Sequence, residues 1–305
     1  MTSTDSSRGP RVSIGLPVYN GERYISETLD SLLAQTFRDF ELIICDNASG
    51  DRTEQICRTY AAKDRRIRYF RNSTNLGAAK NYRLAFVLST GEYFRWANCD
   101  DLFAPTSLEC CVEVLDRELS VILTYPKTKL IDEWGHMISE YEDNLDIRST
   151  KASERFIQVC ERIGLINVCY GLVRANTLRK TRLIRSHPGG DIPFVAELAL
   201  YGKFWEIPEF LFYRRLHSGA TSSYKDNETK LQEFFDPNSV GHPSFRQWKT
   251  LLDHFGSVLR APVEAGEKLL AVSHLIKTGI WARSKLTEEV VTGLRYLGRR
   301  VLSGL

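Results

Sequence analysis

Residues 12–20 read VSIGLPVYN, a run of apolar residues that ends in a polar turn. Residues 41–51 read ELIICDNASGD and repeat this arrangement further along the chain. Runs of this kind predict buried strands. Between them, Ile25–Ala34 carries apolar residues at helical spacing. A strand, a helix and a second strand in this order predict a parallel pair joined by a helical crossover.

The same alternation continues to about residue 125. The predicted strands are Val12–Leu16, Glu41–Cys45, Ile67–Phe70, Tyr93–Ala97 and Val121–Tyr125. The predicted helices are Ile25–Ala34, Arg52–Ala62, Ala78–Leu88 and Ser107–Leu115. This pattern indicates an α/β fold whose mostly parallel central sheet is flanked by helices. Ligands of such sheets bind outside the carboxyl ends of the strands, so we expect the chemistry of the protein there.

Short polar residues and carboxylates follow four of these strands. They are Pro17-Val18-Tyr19-Asn20, Asp46-Asn47-Ala48-Ser49-Gly50-Asp51, Asn72-Ser73-Thr74-Asn75-Leu76-Gly77 and Asn98-Cys99-Asp100-Asp101. Because parallel strands end at the same edge of a sheet, these segments are predicted to surround one crevice.

The pattern changes between residues 126 and 225. Lys127–Tyr141 resembles a hairpin, and a helix is predicted near Glu154–Ile163. A strand is predicted over Val168–Val173, a helix over Asp191–Tyr201 and a strand over Trp205–Phe212. We therefore divide the chain into a leader (1–10), a first half (11–125) and a second half (126–225) of one domain, and a helical C-terminal extension (226–305).

The C-terminal extension carries two apolar stripes at helical spacing. One comprises Leu269, Leu270, Leu275, Ile276, Ile280 and Trp281, and the other Leu286, Val290, Leu294, Leu297 and Val301. Packing on the main body is the usual reason for such stripes. Lys285, Arg295, Arg299 and Arg300 leave peripheral contact with the inner face of a membrane as an alternative.

Composition excludes several classes of protein. The net charge of the 305-residue chain is only +3, which counts against a nucleic-acid-binding protein. No apolar run is long enough to span a bilayer, and residues 1–10 lack the apolar core of a secretory signal and predict a disordered leader. Seven scattered cysteines without a C-x-x-C pair are typical of buried thiols in a reducing cytoplasm. Oligomeric state is left open.

The pair Asp100-Asp101 is the sharpest local feature. Two carboxylates at a strand end repel each other unless a cation lies between them. Hard divalent cations such as Mn²⁺ and Mg²⁺ prefer oxygen ligands and complete their shells with water and substrate phosphates. A solvated helix cap explains the pair equally well on its own.

The other strand ends describe a pocket for a charged nucleotide when they are taken together. Asp46 can accept a hydrogen bond from a base, and Pro17-Val18-Tyr19 offers backbone groups and a ring edge. Asn75 and Gly77 allow a close backbone approach, and Lys80 adds a cation. Each of these features is also explicable as turn chemistry.

These four motifs, in this order and at these spacings, resemble family 2 glycosyltransferases of the GT-A fold. The resemblance covers roughly residues 11–220. It implies that residues 11–125 form the nucleotide-sugar-binding half and residues 126–225 the acceptor-binding half of one GT-A domain. It implies a nucleotide-diphospho-sugar donor, a divalent metal (Mn²⁺ or Mg²⁺), inversion at the anomeric carbon and an acceptor hydroxyl. UDP is the donor nucleotide that the family uses most often. Processive polysaccharide synthases of this family carry a Q-x-x-R-W element and membrane helices. We find neither in this sequence, so we expect transfer of a single sugar.

The resemblance also implies roles for individual residues. Asp101 is expected to bind the metal together with His217, and Asp191 is expected to be the general base. The expected donor-binding residues are Pro17, Val18, Tyr19, Asn20, Glu22, Asp46, Asn47, Asn75, Gly77, Lys80, Asn98, Asp100, Arg215 and Ser222. Asn98 and Asn47 stand where the family often has Asp, and the first change weakens the case for a strictly required metal. A plain helix N-cap is the alternative for Asp191, and Glu197 is the reserve candidate for the base.

Other activities remain as alternatives. The chain has no G-x-G-x-x-G motif after its first strand and no P-loop, which counts against a dinucleotide-dependent oxidoreductase and a P-loop kinase. A sugar-phosphate nucleotidyltransferase of similar fold usually has a Gly-rich loop after the first strand, which this sequence lacks. A non-catalytic sugar-binding partner is the third reading, and Asp100, Asp101 and Asp191 argue against it.

Overall fold

A computed structural model describes residues 9–224 and 227–303 of the chain. The predicted leader lies outside the described residues apart from Gly9 and Pro10. The first half of the domain contains β1 (Val12–Val18), α1 (Ile25–Leu33), β2 (Phe40–Asp46), α2 (Thr53–Lys63), β3 (Ile67–Arg71), α3 (Ala78–Val87) and β4 (Tyr93–Trp96). These strands are all parallel and lie in the order β3-β2-β1-β4. The predicted strand–helix alternation is therefore confirmed.

Every residue of β1 and β2 is buried because helices cover both faces of the sheet. On one face, Ile14 packs with Leu29 and Leu108 from the flanking helices. On the other, Phe94 packs with Phe156 and Phe194. Two apolar layers on either side of the central strands hold their carboxyl ends in fixed positions.

The second half of the sheet is mixed. It contains β5 (Leu102–Phe103), α4 (Ser107–Arg117), β6 (Val121–Ile131), β7 (Met137–Tyr141), α5 (Ala152–Arg162), β8 (Leu172–Arg174), α6 (Ala175–Leu178), α7 (Asp191–Tyr201) and β9 (Lys203–Arg215). The predicted hairpin is the antiparallel pair β6–β7. β8 runs antiparallel to β4 and β6, whereas β9 runs parallel to β6.

The strand predicted over Val168–Val173 is wrong in its first part. Asn167–Tyr170 forms a turn of 3₁₀ helix, and only Leu172–Arg174 is extended. Ile166 has a left-handed backbone with φ 63°, which interrupts any strand at this point. The apolar side chains of Val168 and Cys169 are nevertheless buried, so hydrophobicity alone misled the prediction.

Within the described residues, the C-terminal extension contains the α-helices α8 (Glu228–Phe235), α9 (Arg246–Arg260), α10 (Ala265–Trp281) and α11 (Arg283–Ser303). α9 packs on α7, α10 on α5 and α9, and α11 on α9. Packing accounts for only part of the predicted stripes, because Leu275 and Leu286 are buried whereas the other described members are exposed or only partly covered. Among the described residues, no helix is both long and apolar enough to cross a membrane.

Gly77 is required by the packing of the extension on the sheet domain. Its φ is 81°, and a Cβ at this position would lie 2.5 Å from the carbonyl oxygen of Phe235. We expect Gly77→Ala to lower the free energy of unfolding by about 2 kcal/mol, because both the backbone conformation and the contact become strained. Chemical denaturation of the full chain measures this change.

Gly50→Ala is the matched control, since nothing lies within 4 Å of a Cβ at Gly50. An unfolding midpoint of Gly77→Ala equal to that of Gly50→Ala would contradict the steric explanation.

Candidate active site

A cavity of about 900 Å³ opens where the strand ends of the first half meet the end of β9. The predicted site residues that line it are Pro17, Val18, Tyr19, Asn20, Asn47, Asn75, Asn98, Asp100, Asp101, Asp191, Arg215 and His217. The sheet thus brings together residues that are up to about 200 positions apart in the chain, as the topology of parallel strands requires.

Several predicted residues do not line this cavity. Glu22 accepts hydrogen bonds from the backbone and side chain of Arg52, and Lys80 lies 3.9 Å from the carboxylate of Asp236. Gly77 faces the chain at Phe235. The side chain of Ser222 lies outside the described part of the structure.

Asp46 is fully buried beneath the cavity. One oxygen of its carboxylate accepts hydrogen bonds from the Tyr69 hydroxyl at 2.7 Å and from Arg71 at 3.0 Å. The other oxygen accepts the backbone N–H of Ser49 at 2.8 Å. With these bonds in place, Asp46 holds the turn after β2 against β3 and does not itself reach the cavity.

A network of amide side chains shapes the neighbouring wall. Asn47 donates to Asn75 Oδ1 at 2.7 Å and accepts from Asn72 at 3.0 Å and from the backbone N–H of Leu76 at 2.9 Å. Asn20 accepts the N–H of Gly50 at 2.9 Å. Within the described residues, the Nδ2 group of Asn75 donates no hydrogen bond, so it can donate to a ligand in the cavity.

Asp101 joins the end of β4 to the end of β9. Its Oδ1 accepts the backbone N–H of Arg215 at 2.9 Å, and its Oδ2 accepts the side chain of Asn98 at 3.0 Å. The carboxyl is only 2% exposed, and burial together with the charge of Asp100 raises its pKa to about 7. Each oxygen therefore accepts one hydrogen bond from the protein, and the role of Asp101 as a metal ligand stays a prediction.

His217 contacts Asp100 instead. The Nε2 atom lies 2.9 Å from Asp100 Oδ2, and Nδ1 accepts the backbone N–H of Gly219 at 3.2 Å. Since Nδ1 accepts, Nε2 carries the proton of the neutral ring and donates it to the carboxylate. The imidazole also packs against the ring of Tyr24 at 4.8 Å. Asp100 Oδ1 has no hydrogen-bond partner among the described residues.

These two residues fit a hard divalent cation. Asp100 supplies an open carboxylate oxygen, and His217 Nε2 beside it becomes a ligand only when its proton moves to Nδ1. Mg²⁺-type ions usually take few protein ligands and complete their shell with water and phosphate. No cluster of three or more His, Cys, Asp or Glu side chains suited to a metal occurs in the described ranges. A cation here would therefore depend on oxygen atoms of the donor.

Two adjacent arginines have different roles. Each of the three guanidinium nitrogens of Arg215 donates one hydrogen bond, to Asp100 O, Glu133 O and Glu27 Oε2. Arg214 points to the other side of the strand, where it donates from Nη1 to Leu165 O and Asn167 Oδ1. Its Nε and Nη2 donate no bond within the described residues, so Arg214 offers the more available cation to the cavity.

Asp191 stands at the first position of α7 and lines the same cavity. Its Oδ1 accepts the backbone N–H of Ile192 at 3.1 Å, and no described residue bonds to Oδ2. Burial raises the pKa of this carboxyl, although its backbone hydrogen bonds and the charges of Arg246 and His187 act in the opposite direction. A carboxylate with one free oxygen facing a cavity has the geometry of a general base.

Glu197, the reserve candidate, is bonded elsewhere. Its carboxylate accepts from Arg260 at 2.7 Å and from the backbone N–H of Arg182 at 3.2 Å, and it does not line the cavity. Glu197 therefore joins α7 to α9.

Comparison with known protein families shows which family this chain belongs to. Residues 13–169, more than half of the chain, match Glycosyl transferase family 2. The chain belongs to this family. It is a glycosyltransferase that uses nucleotide-sugar donors, and its fold is GT-A.

Individual relatives agree with this assignment. The transferase is 34% identical to the chondroitin synthase of Escherichia coli over 234 residues, which are 76% of this chain and 33% of that one. The fold is similar to S. aureus TarS 1-349 in complex with UDP-GlcNAc, with a TM-score of 0.66, 19% identity and coverage of 95% and 80%. It is also similar to the mannosyltransferase PcManGT of Pyrobaculum calidifontis in complex with GDP-Man and Mn²⁺, with a TM-score of 0.56, 14% identity and coverage of 99% and 81%.

Several cavity residues of the transferase escaped the sequence analysis. They are Tyr24, Tyr82, Trp96, Arg214 and Arg246. The aromatic residues fall on apolar stripes that are typical of core packing, and Arg246 belongs to α9, outside the predicted catalytic halves. Arg214 is adjacent to Arg215, which the sequence analysis expected to bind the donor. The two side chains point to opposite faces of β9, because successive residues of a strand alternate.

The carboxyl of Asp143, which is near Arg214, predicts that the stability of the fold depends on pH. Its Oδ1 accepts the backbone N–H of Asn167 at 3.2 Å, its Oδ2 is buried without a partner, and burial raises its pKa to about 7. Between pH 4 and 7 the folded chain keeps a proton that the unfolded chain releases, so stability falls as the pH rises. We expect Asp143→Asn to be about 2 kcal/mol more stable relative to wild type at pH 8 than at pH 5.

Chemical denaturation of both proteins at the two pH values measures this difference. Asp146→Asn, which changes an exposed carboxylate nearby, should show no such difference. A constant stability offset of Asp143→Asn from pH 5 to pH 8 would rule out a proton held by Asp143.

Proposed function

We propose that this glycosyltransferase moves a single sugar from a UDP-sugar to an acceptor hydroxyl, with inversion at the anomeric carbon and with the help of a divalent cation. The observation that carries the proposal is the free Oδ2 of Asp191 in the same cavity as the Asp100–His217 pair. One carboxylate positioned to take a proton is what a direct, inverting displacement needs.

UDP is favoured as the donor nucleotide by the relatives. S. aureus TarS binds UDP and UDP-GlcNAc, whereas PcManGT binds GDP-Man. In this chain the nucleotide would lie along Pro17, Val18, Tyr19 and Asn20, with Asn75 Nδ2 as a donor to the base or ribose. We assign Asp46 a positioning role, because its three hydrogen bonds fix the turn that carries Asn47.

Asp100 and His217 would hold the cation, Mn²⁺ or Mg²⁺. Its chemistry when bound is to neutralise charge on the diphosphate leaving group. Coordination by His217 Nε2 requires the ring proton to move to Nδ1, so the hydrogen bond from Gly219 would be given up. Asp101 keeps both of its hydrogen bonds and supports the site by fixing β4 against β9.

The reaction itself requires a proton transfer and a substitution. The acceptor hydroxyl gives its proton to Asp191 Oδ2 while its oxygen forms a bond to the anomeric carbon. The bond from that carbon to the diphosphate oxygen breaks, and the nucleoside diphosphate leaves with the electron pair. Arg214, with Nε and Nη2 unengaged, would donate to the departing phosphate as its charge develops.

The acceptor class follows only by analogy. The similarity to a chondroitin synthase favours a growing saccharide chain as the acceptor. Glycolipids and glycosylated metabolites carry hydroxyl groups with the same chemistry. We propose a hydroxyl-bearing saccharide, lipid-linked or small-molecule acceptor for polysaccharide, glycolipid or metabolite assembly.

A thermal-shift panel of nucleotide sugars tests the donor assignment. With Mn²⁺ present and a UDP-sugar at about 100 times its Kd, we expect the unfolding midpoint to rise by about 5 °C, since only the folded state binds the ligand. GDP- and dTDP-sugars, and UDP-sugars without metal, should shift it less. Failure of every nucleotide sugar to shift the midpoint, or release of pyrophosphate from UTP and a sugar phosphate, would contradict the proposal.

A further inference from the structure

An apolar surface on α10 has no partner within the described chain. Its members are Leu269, Leu270, Ile276, Ile280 and Trp281, which are 67%, 54%, 51%, 56% and 77% exposed. Their spacing places them on one side of the helix, while Ala271 and Leu275 on the other side are buried. We refer to these five residues as the α10 apolar face.

α11 adds further exposed apolar side chains. Val290, Val291, Leu294 and Leu297 are between 39% and 63% exposed, whereas Leu286 and Gly293 face inward. Soluble monomers rarely leave so many large apolar side chains together in water, and such surfaces are usually covered by a partner or a membrane.

The charge around this surface is strongly positive. Residues 265–303 contain seven Lys and Arg residues and three Glu residues, a net charge of +4 in a chain of net charge +3. Glu267 bonds to the backbone of Ser153, and Glu289 to the backbone of Gln247 and Trp248, so these two carboxylates lie against the protein. Glu288 is exposed, but Lys and Arg residues outnumber it on the exposed surface of these helices.

We propose that the α10 apolar face, extended by the exposed side chains of α11, docks on a bilayer that contains anionic phospholipid. Exposed apolar residues with Lys and Arg on the same helices are what interfacial helices use to enter the headgroup region. Self-association is less suited to this surface, because a symmetric contact would bring two basic faces together.

The helix α9 connects this surface to the cavity. α11 contacts the chain before and at the start of α9 through Tyr296 and Glu289, and Arg246 of α9 lines the cavity. The inference concerns lipid binding alone and needs no donor or acceptor for its test, so it stands or falls separately from the proposed reaction.

Vesicle flotation with the full chain tests the proposal. The chain should float with phosphatidylcholine vesicles that contain phosphatidylglycerol, bind pure phosphatidylcholine vesicles more weakly, and lose the difference at high salt. The double substitution Ile280→Glu and Trp281→Glu should lower the partition coefficient by about tenfold or more, because two buried apolar contacts are lost.

The matched control is Val87→Glu with Leu119→Glu, which changes two apolar residues that are 65% and 82% exposed on other elements. It should bind vesicles like the wild type. Circular dichroism and the unfolding midpoint of both variants, measured without ligand, report whether they remain folded. Absence of wild-type binding to phosphatidylglycerol vesicles, or equal binding by the α10 variant, would overturn the proposal. So would a dimer in sedimentation that the same substitutions abolish, without vesicle binding, because the face would then bind a second copy.

Discussion

Replacing Asp191 by Asn is expected to lower kcat by about 1,000-fold and to change donor affinity by less than about twofold. Asn keeps the size of the side chain and its hydrogen bond to the N–H of Ile192, but it cannot take a proton. The nucleotide is proposed to bind along Pro17, Val18, Tyr19 and Asn20, so its affinity should not depend on Asp191. Turnover is measured as release of nucleoside diphosphate from the donor that the thermal-shift panel identifies, with water or a saccharide as acceptor.

The pH profile adds a second measurement for Asp191. Because burial raises the pKa of this carboxyl, kcat/KM should fall on the acid side at a higher pH than an ordinary aspartate would give. Asp39→Asn, at an exposed carboxylate outside the cavity, is the control and should leave rate and profile unchanged. If Asp191→Asn kept more than a tenth of the wild-type turnover, another group would have to accept the proton.

Replacing Asp100 by Asn is expected to remove the dependence of donor binding on Mn²⁺. We expect the metal to tighten binding to the wild type by about 100-fold and to have almost no effect on the variant, because the open carboxylate oxygen is lost. Titration calorimetry with and without Mn²⁺ measures both affinities. The unfolding midpoint of Asp100→Asn without ligand should stay close to that of the wild type, since Asp100 is bonded by one side chain at the cavity wall.

Asp101→Asn is the informative comparison. An amide at this position cannot accept from both Arg215 and Asn98, so one buried hydrogen bond is lost and stability should fall by about 1–2 kcal/mol. The Mn²⁺ effect on donor binding should largely remain. The opposite pair of results, with metal dependence lost in Asp101→Asn and kept in Asp100→Asn, would restore Asp101 as the metal ligand expected from the sequence.

The fold could be predicted because its signals are local. The apolar runs of β1–β4 and the helical spacing of α1–α3 each lie within about a dozen residues, and these elements appear in the structure nearly as predicted. The segment at Val168 failed because a local turn at Ile166 overrides the strand propensity of the residues that follow.

The assignment of individual oxygens could not be predicted in the same way. Asp100 and Asp101 are neighbours of identical chemistry. Asn98 of the same motif donates to Asp101, and the other side-chain contacts that distinguish the two carboxylates come from residues more than 100 positions away. His217 contacts Asp100 and the backbone of Arg215 contacts Asp101. No pattern within the motif itself distinguishes the open carboxylate from the engaged one.

The sequence by itself therefore determined the family, the order of the elements and the place where chemistry gathers, because strand tips of a parallel sheet must meet at one edge. Only the tertiary structure showed which of these side chains keep an atom without a partner among the described residues: Asp100 Oδ1, Asp191 Oδ2, and Nε and Nη2 of Arg214. The physical reason is that a polar group in a packed interior is available only when no other donor or acceptor satisfies it, and those partners come from distant parts of the chain.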